Sequence, residues 1–294
     1  MRNLICFLAT IGSKLLGRTN LFRLGRWAYM AARNDVTDRI SENGEKWVQS
    51  CVLKACCDNN SGHIVVFDIG ANIGDWLRSL LDVAERLGCL SQLDAHAFEP
   101  VPSTYERLLN MIKTDPRATA VVTKPECFAM SSSRGSASMF VVSDGVGINS
   151  LHQDSTAVYT QSIVIVTNTV DNYIKENNIK MVHLLKCDTE GHDMEVLRGT
   201  QDALRHELIC VLQFEYNHRW VFSRNFLKDV FDLVAGLPYA IGKVTPSRVE
   251  FYSEWHPELE RFFEANFVIV HDAARQWFFH HNMVFDTSNA IRVE

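Results

Sequence analysis

Runs of consecutive apolar residues alternate along much of this chain with segments in which apolar residues recur every three or four positions. The apolar runs predict strands buried on both faces, and the periodic segments predict helices packed against them. The predicted strands cover residues 63–69, 93–98, 118–123, 181–187, 208–215, 239–244 and 267–270. The predicted helices cover residues 45–57, 75–87, 102–112, 192–204 and 225–235. This alternation is typical of a doubly wound α/β fold with a mostly parallel sheet.

One stretch, residues 127–167, lacks this alternation. It is rich in serine, glycine and residues that favour strands, and no helical period fits it. We expect an inserted β-hairpin followed by a mobile loop around residues 144–147. We therefore divide the chain into an N-terminal helical extension (1–57), an α/β domain (58–272) and a C-terminal tail (273–294).

Composition and charge are those of an ordinary globular domain, with 47% hydrophobic residues, 22% charged residues and a net charge of −6. The acidic balance disfavours a nucleic-acid partner, because such proteins usually carry a basic excess. The eight cysteines include no Cys-x-x-Cys pair, so no structural zinc site is predicted. We expect reduced thiols and a cytoplasmic protein, because a chain of this length needs no disulfides to close its core.

The first 16 residues are mostly apolar but carry Arg2 and Lys14. This run is too short to span a bilayer and lacks the cleavage site of a secretory signal. It predicts a helix that either packs on the domain or lies on a membrane surface, with Arg18, Arg23 and Arg26 facing anionic lipid.

The most informative motif is the turn from the first strand into a helix, Phe67-Asp68-Ile69-Gly70-Ala71-Asn72-Ile73-Gly74. A dinucleotide-binding turn has glycine in place of Asp68, because its backbone faces a pyrophosphate. A carboxylate would repel that group but would suit the ammonium and sulfonium of S-adenosylmethionine. Gly70 would let this ligand approach the backbone, Gly74 would let the helix pack tightly on the strand, and Asn72 would bond the amino-acid part. The turn therefore predicts S-adenosylmethionine as cofactor.

The second strand ends in Phe98-Glu99-Pro100. An acidic residue at this position can hold a ribose diol, because a carboxylate accepts hydrogen bonds from two hydroxyls. Pro100 turns the chain out of the strand. Phe128, after the third strand, is expected to lie either against the adenine or in the core.

Polar residues also follow the fourth and fifth strands, where ligands bind in doubly wound sheets. Asp188, Glu190 and His192 follow the fourth strand, and any of them could remove the proton of an acceptor hydroxyl during methyl transfer. The residues predicted to bind a polyhydroxylated acceptor follow the fifth strand: Glu215, Asn217 and His218. We predict no metal site. The alternative is a magnesium ion held by Asp188, Glu190 and either Glu215 or His218.

Together these motifs resemble the FkbM family of methyltransferases over residues 63–220. The resemblance is carried by the glycine turn, by Phe98-Glu99-Pro100, by Leu185-Lys186-Cys187-Asp188-Thr189-Glu190-Gly191 and by Glu195-Val196-Leu197-Arg198-Gly199. It implies a seven-stranded sheet whose last strand is antiparallel, and O-methylation of a hydroxyl on a sugar, glycan or natural product. It also implies cofactor contacts at Asp68, Gly70, Asn72 and Glu99, and an active site at Asp188 and Glu190.

Three other functions compete with this interpretation. Asp68 argues against a nicotinamide-dependent oxidoreductase, because that class needs glycine there. Asp188-Thr189-Glu190-Gly191 differs from the Asn/Asp-Pro-Pro-aromatic signature that many N-methyltransferases use. The acidic residues after the fourth strand argue against a non-catalytic cofactor-binding module.

Overall fold

The computed structural model describes residues 2–35, 39–59, 62–142, 149–152 and 158–294. The chain forms two compact units, residues 1–37 and residues 38–294. The first unit consists of helix α1 (Arg2–Ala32), whose backbone is non-helical at Gly17. Within the described residues, no helix is both long and apolar enough to cross a bilayer. The predicted loop at residues 144–147 lies outside the described residues.

The second unit is an α/β domain built on one large sheet. Its helices are α2 (Glu45–Asp58), α3 (Asp75–Leu87), α4 (Pro102–Thr114), α5 (Pro116–Val121), α6 (Val170–Glu176), α7 (Asp193–Arg198), α8 (Gln201–Arg205), α9 (Trp220–Ser223) and α10 (Leu227–Val234). Its strands are β1 (Ile64–Ile69), β2 (Leu93–Phe98), β3 (Val122–Glu126), β4 (Ala129–Met130), β5 (Gly135–Val141), β6 (Gln161–Asn168), β7 (Val182–Cys187), β8 (Ile209–Tyr216), β9 (Tyr239–Val244), β10 (Val249–Tyr252), β11 (Ala265–His271), β12 (His280–Phe285) and β13 (Ile291–Val293).

The large sheet has ten strands among the described residues, in the order β13-β12-β10-β9-β11-β8-β7-β1-β2-β3. Strands β8, β7, β1, β2 and β3 are parallel, whereas β11 is antiparallel to both β8 and β9. The prediction of a seven-stranded, mostly parallel sheet is therefore wrong. Strands β10, β12 and β13 extend the sheet. They are short or interrupted by polar residues, so they lack the continuous apolar runs on which the prediction depended.

Two apolar layers cover the faces of the sheet. Helices α2 to α5 pack on one face and α6 to α10 on the other. Helix α2 belongs to the first of these layers and therefore to the α/β domain. The boundary between the two compact units lies after residue 37, whereas the sequence predicted a boundary after residue 57. The predicted third strand, 118–123, begins later, at Val122, because Pro116 starts a helical turn that Asp115 caps through Arg117 N (3.0 Å).

Strands β4, β6 and β5 form a separate three-stranded sheet in the region predicted to be inserted. Met139 and Ile165 of this sheet pack with Val101, which lies in the loop after β2. The small sheet is thereby held beside the carboxyl end of the parallel strands, where the candidate site lies.

The C-terminal residues 273–294 contribute to the core as well as to the sheet. Phe278 is buried and its ring lies 5.7 Å from that of Trp47 in α2, whereas the neighbouring Phe279 is 64% exposed.

Phe278→Ala should lower the free energy of unfolding by about 3–5 kcal/mol, since it leaves a cavity in the core. Phe279→Ala should change it by less than about 0.5 kcal/mol. Urea unfolding of both variants measures the difference, and equal effects would contradict this packing.

Candidate active site

The loops after β1, β2 and β7 converge at the carboxyl end of the sheet. Gly70 N and Ala71 N both donate to Phe98 O at 3.0 Å, and Asp188 N donates to Ile69 O at 3.0 Å. These backbone bonds fix the glycine turn relative to the residues that follow β2 and β7.

Gly70 makes this convergence possible. Its φ is +80°, and a Cβ atom at this position would lie 1.9 Å from Asp188 O. No side chain fits there without separating the two loops. Gly74 also has a positive φ, but a Cβ there would meet Met111 of α4, so its small size serves helix–helix packing. Gly74 lines neither of the cavities described below.

Asp68 is buried at the end of β1, and neither of its carboxylate oxygens has a hydrogen-bond partner among the described residues. Burial raises its pKa to about 6, with Lys186 opposing the rise and Asp188 adding to it. An unpartnered buried carboxylate is costly, and a cation placed beside it would offset that cost.

Glu99 connects the loop after β2 to the glycine turn. Its Oε2 accepts from Asn72 N at 3.0 Å and its Oε1 accepts from Val101 N at 2.9 Å. Asn72 adopts a left-handed backbone (φ 48°), which turns its N–H toward Glu99. Burial raises the pKa of Glu99 to about 7.

A cavity of about 90 Å³ opens beside Glu99, and we call it the apolar cavity. Pro100 and Phe128, which the sequence predicts to bind the cofactor, line it, and the small sheet adds Met139. Its remaining lining residues are Ile69, Gly70, Asn72, Phe98, Glu99, Thr104, Ala129, Met130, Asn149, Leu151, Asp188, Thr189, Glu190 and His192. Its mixture of apolar walls with a few polar groups is typical of a small-molecule site.

A second cavity of about 380 Å³, the acidic cavity, also borders the glycine turn. Its acidic lining residues are Glu45, Asp75, Asp188, Glu190, Glu215 and Glu264, and its basic ones are Lys186 and Arg219. Gly70, Asn72, Asp188 and Glu190 line both cavities and form the shared wall.

Two ion pairs hold carboxylates of the shared wall. Lys186 Nζ donates to Asp188 Oδ2 at 3.0 Å, while Asp188 Oδ1 is buried without a hydrogen-bond partner among the described residues. Arg219 Nη1 lies 2.7 Å from Glu190 Oε2. Burial, reinforced by Asp188, still raises the pKa of Glu190 to about 8. Lys186 is itself buried, and its pKa is raised by Asp188, Asp68 and Glu45.

His192 is engaged at both ring nitrogens. Nε2 lies 3.0 Å from Ser131 Oγ, and Nδ1 lies 3.1 Å from Nε2 of His152. Burial lowers the pKa of His192 to about 4, so the ring is neutral at pH 7. Asp193 braces the same loop, because its carboxylate accepts from Thr189 N (3.1 Å) and Gly191 N (3.2 Å).

The three residues after the fifth strand that the sequence predicts to bind the acceptor lie in different surroundings. Glu215 lines the acidic cavity, and burial raises its pKa well above the ordinary value. Asn217 is buried and accepts from Arg219 N at 2.8 Å, whereas His218 is exposed. Asn217 and His218 line neither cavity, and their acceptor role stays a prediction. Within the described residues, no group of three His, Cys, Asp or Glu side chains is arranged to hold a metal ion.

Comparison with known proteins identifies the family to which this chain belongs. The model of the methyltransferase FkbM domain matches residues 68–267, which include both cavity-lining loops. The chain belongs to the FkbM methyltransferase family. It is an S-adenosylmethionine-dependent methyltransferase, as the resemblance predicted.

Relatives of this FkbM domain include the hexuronic acid methyltransferase AglP of Haloferax volcanii, 30% identical over 141 residues, or 48% of this chain. The chain spans about half the length of that protein (52%). Solved structures similar to this chain include a putative rRNA methylase from Clostridium thermocellum. Its TM-score is 0.41 at 10% identity, and the match covers 78% of this chain and 98% of that one. A methyltransferase from Agrobacterium tumefaciens has a TM-score of 0.39 at 10% identity, over 78% of this chain and 62% of that one.

The residues of the FkbM domain fit this cofactor chemically. Asp68 lines neither cavity, but its unpartnered buried carboxylate at the end of β1 suits a nearby positive charge. Glu99 lines the apolar cavity and can accept from ribose hydroxyls. Phe128 lines the same cavity and gives it an aromatic side chain against which an adenine ring can pack.

Sequence reasoning missed Lys186, Arg219, Asn149 and Leu151 as residues of these cavities. Lys186 could have been found from the sequence, because a charged residue inside an otherwise apolar strand indicates a buried charge that needs a partner. Asn149 and Leu151 had none, because they reach the site through the fold of the small sheet.

Cofactor binding should release protons near neutral pH. Because burial raises the pKa of Asp68 to about 6, part of the population is protonated at pH 6, and a bound cation favours the carboxylate. Affinity for S-adenosylmethionine should therefore rise from pH 5 to pH 7. Calorimetric titration at pH 6 in buffers of different ionisation enthalpy measures the release.

Asp68→Asn should reduce this proton release and weaken binding by about tenfold or more, the usual cost of losing a charged partner. Asp82→Asn, an exposed change on α3, is the matched control and should bind like the unaltered chain. Proton-neutral binding by the unaltered chain at pH 6 would contradict the assignment.

Proposed function

We propose that this enzyme transfers a methyl group to a hydroxyl of a sugar, glycan or natural-product acceptor. The observation that carries the proposal is the buried Asp188 Oδ1, which has no hydrogen-bond partner among the described residues and belongs to a residue of the shared wall. S-adenosylmethionine supplies an electrophilic methyl group when bound. An acceptor hydroxyl beside Asp188 would donate its proton to the carboxylate while its oxygen faces the methyl group of a cofactor whose nucleoside lies in the apolar cavity.

Cofactor binding is assigned to the predicted residues Asp68, Gly70, Asn72, Glu99, Pro100 and Phe128. Glu99 would accept from the ribose, Phe128 and Pro100 would pack against the adenine, and Asp68 would offset the positive charge. Gly74 would act indirectly, since it seats α3 against α4.

Asp188 is the proposed general base. Lys186 holds its Oδ2 and leaves Oδ1 for the acceptor. Glu190 forms an ion pair with Arg219 through Oε2. Both ring nitrogens of His192 are engaged, so His192 would have to give up a partner before accepting a proton. Glu190 and His192 would then position the loop, and Glu190 could bind a second acceptor hydroxyl.

A sugar acceptor is supported by two facts. The relative AglP is named for methylation of a hexuronic acid. The acidic cavity also offers several carboxyl groups, including Glu215, that can accept from or donate to hydroxyls. The same excess of carboxylates favours an amine acceptor as the second candidate, because amines bind there as cations.

We also propose a cytoplasmic location. The described cysteines are free thiols, which supports a reducing compartment.

A labelled-methyl assay over neutral sugars, uronic acids, amino sugars and hydroxylated natural products tests the acceptor class. We expect label on an oxygen of a sugar or natural product. Label found only on nitrogen of amino sugars would replace the proposal by the amine alternative.

Asp188→Asn should slow transfer to the acceptor by about 10²–10⁴-fold, the usual contribution of a general base. Affinity for S-adenosylhomocysteine should change by only a few-fold, because the proposed role concerns the acceptor. The matched control is Asp232→Asn, an exposed change on α10 that should leave the rate unaltered. Turnover by Asp188→Asn at the original rate would exclude Asp188 as the base, and Glu190→Gln would then be the next variant to measure.

A further inference from the structure

Positive charge is concentrated at the N-terminus of this acidic protein. Residues 1–34 contain six basic residues, Arg2, Lys14, Arg18, Arg23, Arg26 and Arg33, and no acidic residue. The whole chain carries −6, so residues 35–294 carry −12. The cationic segment is also a compact unit of its own, residues 1–37.

The same segment exposes large apolar side chains. Leu15, Phe22 and Trp27 are 79%, 67% and 68% exposed, and Ile11, Leu16 and Leu24 are exposed as well. Lys14, Arg18 and Arg23 are exposed between them. Helix α1 bends at Gly17, where φ is +73°. Such a mixture of exposed aromatic, aliphatic and basic residues complements an interface in which anionic groups lie above an apolar layer.

We propose that helix α1 binds the surface of an anionic lipid bilayer, lying in the interface without crossing it. Trp27 and Phe22 would enter the boundary between headgroups and acyl chains, while Arg18 and Arg23 reach the phosphates with their long stems along the apolar layer. Each basic residue near such a surface contributes about 1 kcal/mol. The net negative charge of residues 35–294 would be repelled, which restricts the contact to α1.

Other occupants fit these residues less well. A nucleic acid would leave Phe22, Trp27 and Leu15 exposed unless bases were unstacked onto them. A second copy of the chain would bring another six basic residues against the first. An acidic protein partner is the remaining alternative, and the experiment separates it from lipid.

Sedimentation of the full chain with vesicles tests the proposal. Vesicles of phosphatidylcholine alone are compared with vesicles containing one third phosphatidylglycerol, at low and high salt. We expect binding to the anionic vesicles, weakened by salt and absent or at least about tenfold weaker with phosphatidylcholine alone.

The double variant Arg18→Gln/Arg23→Gln should weaken binding to anionic vesicles by about 30-fold, the equivalent of two basic residues. Arg18→Lys/Arg23→Lys keeps the charge and should bind like the unaltered chain. Arg134→Gln/Arg205→Gln, two exposed changes in residues 38–294, is the matched control and should also bind normally. Trp27→Ala should weaken binding and remove a blue shift of tryptophan emission on vesicle addition.

No binding to anionic vesicles, or binding unaffected by Arg18→Gln/Arg23→Gln, would overturn the proposal and favour a protein partner. The assay needs neither cofactor nor acceptor, so its outcome is independent of the methyl-transfer proposal.

Discussion

The contact between the β1 and β7 loops at Gly70 is the constraint on which the site depends. Because Gly70 has no side chain, Asp188 can bring its carbonyl against the glycine turn, and its amide then bonds Ile69 O. The result is that Gly70 and Asp188 line both the apolar and the acidic cavity. A larger residue at position 70 would separate the loops and move Asp188 away from both cavities. The sheet, the helices and the small sheet can all be understood as supports for this contact.

Ionisable carboxyl groups are concentrated around the shared wall, and their burial has a thermodynamic consequence. The pKa values of Asp68, Glu99 and Glu45 are all raised by burial, to about 6, 7 and 7. A carboxyl group with a raised pKa contributes stability that is present below its ordinary pKa, near 4, and is lost as the pH rises through the shifted value. The unliganded enzyme therefore loses stability between about pH 4 and pH 7, and Lys186 offsets only part of this loss. A cationic cofactor bound beside Asp68 would supply positive charge and would offset more of it.

The sequence allowed the family, the enzyme class and the cofactor to be predicted better than the extent of the sheet. Asp68, Gly70 and Glu99 stand at strand ends, where apolar runs stop and a glycine or proline follows, so their positions could be read locally. The family, the enzyme class and the cofactor were predicted correctly from motifs that include these residues. Strands β10, β12 and β13 were missed because they are short or interrupted by polar residues, so they form no continuous apolar run. The partner of Lys186, the engagement of His192 by His152, and the contribution of Asn149 depend on contacts between distant segments, which no local pattern encodes.

The central claim is that the nucleoside of the cofactor lies in the apolar cavity, with its sulfur directed toward Asp188 and the acceptor hydroxyl. A crystal structure of the full chain with S-adenosylhomocysteine tests it most directly. The account predicts adenine in the apolar cavity against Phe128, ribose hydroxyls on Glu99, and the thioether sulfur beside Asp188. Adenosine bound in the acidic cavity, or a ligand with no contact to Glu99, would contradict it.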